Sequence, residues 1–82
     1  MNNEEYNPRA KALMIEVVDE QLINNDPPET KATLKRLVSL GYSKQVAKEK
    51  IAAVVVEHIY SIMHDGKDFD LGKYIEDLNA IK

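Results

Sequence analysis

Two histidines, His58 and His64, are the side chains of this sequence best suited to acid–base or metal chemistry near neutral pH. They stand six positions apart in a stretch with helical spacing, which rotates one about 240° from the other around a helix. The shared-face ligand pair of an i, i+4 spacing is therefore out of reach. Either histidine beside a carboxylate of the first helix would make a lone acid–base or metal site. The plainer expectation is one half-buried histidine and one at a helix end, where positive charge suits the helix dipole. Glu16, Asp19 and Glu20 form a second cluster, with Glu16 and Glu20 as i, i+4 neighbours. Paired carboxylates can hold a cation or divide acid and base roles. They need a pocket and an orienting partner for that, and the spacing predicts a solvated helix face. Ser39, Ser43 and Ser61 lack a strand–turn–helix elbow, and there is neither a cysteine nor a glycine-rich phosphate loop. The chain reads as a non-enzyme that takes no cofactor and no metal.

Cations offer the stronger signal. Residues 29–50 carry six Lys and Arg against two acids, a local charge of +4, whereas residues 1–26 carry six acids against Arg9 and Lys11, a local −4. Such asymmetry predicts a polarised surface. Lys31 and Lys35 share one helix face, Lys44 and Lys48 share another, and Arg36 stands beside them. Joined at Gly41, the two segments imitate a helix-turn-helix, so Lys31, Lys35, Arg36, Lys44 and Lys48 form a candidate surface for nucleic acid or for a protein partner. The second segment is long and apolar for a recognition helix. It offers Gln45 alone as an obvious reader of base edges.

Four helices must position these groups. Asn7 is a good cap and Pro8 a good first residue for a helix whose apolar stripe is Ala10, Leu13, Met14, Val17, Val18 and Leu22. Asn24-Asn25-Asp26-Pro27 ends it. Asp26 then reads as the cap of the second helix, with Pro27 first and Glu29 three residues beyond the cap. Leu34, Leu37, Val38 and Leu40 give its apolar side, and Gly41 stops it in the left-handed conformation. Tyr42 stands where a hydrophobic residue folds back on the last turn. Ser43 caps a third helix over about residues 44–64. Its run from Ile51 to Val56 is apolar on every side, which predicts burial all round and a central place in the fold. Asp70 caps a short fourth helix with Leu71, Tyr74, Ile75, Leu78 and Ile81 inward. Phe69 and Tyr74 are spaced as a hydrophobic staple.

The expected architecture is all-α: a compact four-helix bundle with a long central third helix, spanning residues 7–82 behind a disordered N-terminus at 1–6. At 82 residues there is room for one domain. With no cysteine, such a domain relies on packing or self-association and suits a reducing cytoplasm. No signal pattern stands in residues 1–20, and no apolar run approaches a membrane span. The third helix carries more apolar surface than three short neighbours can cover, so Val55, Val56 and Ile59 form a candidate seam for a dimer or partner. The expected role is non-catalytic protein interaction or regulation through an unidentified protein partner or self-association, with nucleic-acid binding through residues 31–50 as the alternative.

Two resemblances add to this reading. The run Leu37-x-x-Leu40-Gly41-Tyr42-Ser43-x-x-x-Ala47 resembles the Leu-Gly-Tyr turn of ubiquitin-associated-type three-helix domains, over about residues 34–51. Those domains have shorter helices, and no binding residue carries over. Asn7-Pro8, Glu20-Gln21, Asp26-Pro27-Pro28, Arg36-Leu37, Gly41, Ala47, Tyr74 and Leu78 together resemble the pattern of an all-helical bacterial family of unknown function. That family's histidine positions are Lys11, Ile15 and Glu49 here, so no metal role carries over.

Overall fold

Helices α1 (Pro8–Asn24), α2 (Pro28–Ser39), α3 (Lys44–Asp65) and α4 (Leu71–Asn79) make up the computed structural model, which describes residues 8–82 apart from the side chains of Pro8 and Ala10. The expected cap at Asn7, the disordered start at 1–6 and the stripe position at Ala10 lie outside the described residues. The architecture is an all-α four-helix bundle. Helix α3 is the longest element, and the other three all pack against it. Among the described residues no helix is long and apolar enough to cross a membrane.

Local rules set most of the corners. The Ser43 hydroxyl accepts from the Val46 N–H at 3.1 Å, and the Asp70 carboxylate accepts from the Lys73 N–H at 3.0 Å. Each thereby satisfies one of the orphan donors of a helix start. At the end of α2, Gly41 has φ +110°, the Tyr42 N–H reaches the Leu37 carbonyl and the Gly41 N–H reaches that of Val38. That pair of bonds is a Schellman motif. The same motif ends α1, with Asn25 at φ 52°, the Asp26 N–H on Gln21 and the Asn25 N–H on Leu22. Asn tolerates this conformation because its short polar side chain has little to clash with.

The start of α2 departs from expectation. Pro27 occupies the cap position in extended conformation (φ −79°, ψ 153°), Pro28 begins the helix, and Asp26 makes no capping bond. The cause is the second proline. The ring of Pro28 disfavours helical dihedrals at the residue before it, so Pro27 cannot be the first helical residue.

The core is Val18 of α1, Leu34 and Leu37 of α2, Ala47, Ile51, Ala52, Val54 and Val55 of α3, and Tyr74 and Leu78 of α4. Each large aliphatic side chain here contributes about 1.5–3 kcal/mol by leaving water. Leu13 lies about 140° around α1 from Val18 and is half exposed. Val38, Leu40 and Leu71 also face outward, while Thr30 and Thr33 take inward places on α2. Burial of α3 is one-sided where it was expected all round. Ala53 and Val56 are exposed, as are Tyr60, Ile62 and Met63 in the last turns, because the neighbouring helices cover only one side there.

Candidate functional site

Gln21, Thr30 and Tyr74 are tied to one another inside the bundle. Gln21 Oε1 accepts from the Thr30 hydroxyl at 2.7 Å and from the Tyr74 hydroxyl at 2.9 Å. One amide oxygen thus joins α1, α2 and α4. Burial pushes the Tyr74 phenol above its usual range, against the opposing pull of Gln21 and Thr30. Among the described residues no buried side-chain polar atom lacks a partner.

His58 belongs to this interior. Its Nε2 is 2.8 Å from Asp77 Oδ2, and its ring meets those of Tyr74 and Phe69 edge-on with centroids 5.2 Å and 6.0 Å away. Phe69 and Tyr74 also touch each other, 5.5 Å between centroids, as the expected staple. These rings line a mostly apolar cavity of about 160 Å³ between α1, α3 and α4. Bonds from His58 and Lys73 hold the Asp77 carboxyl below its ordinary range, despite partial burial. The partner of His58 is therefore a carboxylate of α4, not of α1, and the pair locks two helices together. His64 is remote from it and stacks on Tyr60 with centroids 3.9 Å apart.

Of the acidic cluster, Asp19 pairs with Lys48 at 2.7 Å, while Glu16 and Glu20 stay on the exposed face of α1. Lys11 of α1 and Glu49 of α3 come together. Lys11 Nζ is 3.1 Å from Glu49 Oε2, and Ile15 packs on the core. An ammonium and an aliphatic chain offer no lone pair, so these residues do not fit a metal ion. Among the described residues no group of three His, Asp or Glu is placed to hold one.

The basic residues separate into two groups. Arg36 turns inward to α4, where its guanidinium donates to the Ile81 and Leu78 carbonyls at 2.7 and 3.0 Å. Lys35 is exposed on α2. Lys31, Lys44 and Lys48 converge on a groove of about 370 Å³ between α1, α2 and α3, whose floor is Leu22, Ile23 and Leu34 and whose α1 edge is Asp19. Ile23 is 76% exposed, a large cost in apolar surface for a residue with no cover. The floor was not anticipated from sequence, although an isoleucine off the α1 stripe was a readable signal. Of the candidate seam, Val55 is buried, Ile59 is half-buried and Val56 is exposed.

Compared with known proteins, the chain matches no family model, no curated protein and no solved structure.

Proposed function

We propose that this chain is a non-catalytic interaction module that docks an acidic, amphipathic protein segment in the groove between α1, α2 and α3. The observation that carries this reading is the convergence of Lys31, Lys44 and Lys48 around the apolar floor of Leu22, Ile23 and Leu34. Three cations around an exposed isoleucine suit a partner with carboxylates on either side of an apolar row, the helix-in-groove mode of recognition. A nucleic-acid backbone would use the lysines but leave the floor in water. Arg36, which such a ligand would favour for bidentate contacts, is bound to α4. Lys48 is partly neutralised by Asp19. The absence of cysteine supports work in a reducing cytoplasm, and the likeness to a bacterial helical family supports a bacterial setting.

The test is a calorimetric titration of the full chain with three probes: a helical peptide bearing Glu and Leu on one face, the same peptide with Lys for Glu, and a short DNA duplex. The acidic peptide should bind, and Lys31→Glu with Lys44→Glu should weaken it at least tenfold. Binding of the duplex alone, lost in the same double variant, would replace this reading with nucleic-acid recognition. No binding by any probe would remove the groove from consideration.

A further inference from the structure

This chain itself displays a segment of the chemistry that the groove accepts. Residues 65–71, Asp-Gly-Lys-Asp-Phe-Asp-Leu, are exposed without interruption between α3 and α4. Phe69 and Leu71 are each about half exposed, and Asp65, Asp68 and Asp70 stand beside them in the sequence. The segment carries three carboxylates and one ammonium, a charge of −2. The groove carries Lys31, Lys44 and Lys48 against Asp19, a charge of +2. The two surfaces are opposite in sign, equal in magnitude and alike in having apolar residues among the charges.

They cannot meet within one molecule. Lys44 and Lys48 stand in the first turns of α3 and Asp65 is its last residue. The helix separates Lys48 from Asp65 by about 25 Å of rise, far beyond the reach of a lysine to a carboxylate. Resting on the groove reading above, we infer that residues 65–71 of one copy dock in the Lys31–Lys44–Lys48 groove of a second copy. The contact is heterologous, head to tail, because donor and acceptor are different surfaces. It generates rings or open chains according to the rotation between copies. Being electrostatic at its rim, it weakens as salt screens the charges.

Sedimentation of the full chain over a range of concentration tests this, using two double variants: Lys31→Glu with Lys44→Glu, and Asp65→Lys with Asp68→Lys. All four positions are exposed, and Asp70 is left in place because it caps α4. The wild type should gain mass from micromolar to millimolar concentration in low salt and lose it in half-molar salt. Each double variant alone should stay monomeric with unchanged circular dichroism. Mixed one to one, they should associate again, since every groove then finds a segment of opposite charge. Leu71→Ser, which leaves the charges intact, should weaken association at least threefold. A wild type that is monomeric at millimolar concentration overturns the inference. So does a variant that associates as the wild type does. If the wild type stays monomeric while the acidic synthetic peptide still binds, self-docking falls and the groove reading stands; if neither binds, both fall.

Discussion

The Arg36 guanidinium sits on the last turn of α4, 2.7 Å from the Ile81 carbonyl, with a second bond of 3.0 Å to Leu78. Leu78 lies in the last turn of α4, where its carbonyl also accepts from the Ile81 N–H at 3.2 Å, and Ile81 stands two residues beyond the helix. The charge complements the negative end of the helix dipole. Arg36 therefore acts as a remote cap that holds α4 to α2, and it is not a free surface cation. Arg36→Met should cost about 2 kcal/mol, the loss of hydrogen bonds from a charged donor. In a domain of this size that lowers the melting temperature by about 8–16 °C. Arg36→Lys should recover only part, because an ammonium cannot span both carbonyls as a planar fork does. Hydrogen exchange would locate the effect, with amides of residues 74–80 losing protection first. Protection unchanged in α4 would contradict the capping role.

A second prediction concerns the shared acceptor at Gln21. Replacing it with Leu leaves the Tyr74 and Thr30 hydroxyls without their common partner in the interior, at about 1–3 kcal/mol each. Tyr74→Phe alone removes one donor and leaves Gln21 its bond to Thr30, so it should cost about 1 kcal/mol. In the combined variant the costs should fall short of their sum by about 0.5–3 kcal/mol, the range for residues in one network. Denaturant unfolding of the four proteins measures this directly. Strict additivity would mean that the two side chains are not coupled through the bond.

How far these features were legible depends on their range in sequence. Ser43, Gly41, Asp70 and the Phe69–Tyr74 staple could be placed because each acts on a partner within five residues. Arg36 reaches 45 residues ahead and Tyr74 reaches 53 residues back. No local pattern distinguishes such a side chain from a solvated one. The valines of α3 were ambiguous for another reason. An all-round apolar run states that burial is available on every side, but neighbouring helices decide which side receives it. The lysines of the groove were visible as a basic cluster. Their common floor was not, because Leu22 and Ile23 come from one helix and Leu34 from another.

That ambiguity in α3 yields a contrast between adjacent residues. Val55 is 5% exposed and Val56 is 46% exposed. A carboxylate at Val55 would sit unpaired among Val18, Ile51 and their neighbours, an environment that penalises charge by several kcal/mol. A domain of this size has only about 4–12 kcal/mol of stability in all. Val55→Asp should therefore unfold the chain or leave it barely folded at 25 °C. Val56→Asp should keep its helical circular dichroism, with a loss of less than about 1 kcal/mol. Comparable unfolding of both would mean that Val56 is covered in solution, as a seam between copies along α3 would cover it.

The pH dependence of stability follows from Asp77. Its carboxyl is held below the ordinary range by the bond from His58 first and by Lys73 at 3.2 Å in addition. A depressed carboxylate pKa means that the unfolded chain takes up a proton before the folded one does. The stabilisation is therefore complete above the ordinary carboxylate pKa of about 4, and it disappears as pH falls through the lowered folded value. Glu49, held low by Lys11 and Gln45, adds a loss of the same sign in the same window. Asp77→Asn removes the charge but preserves the shape. It should lower the melting temperature at pH 6 and make the slope of stability between pH 5 and pH 3 shallower than in the wild type. As acid protonates the wild-type carboxyl as well, the melting temperatures of the two proteins should converge. Parallel curves from pH 6 to pH 2 would show that the contact with His58 contributes shape and packing alone. A gap that narrows only on acidification would assign the contribution to the charge on Asp77.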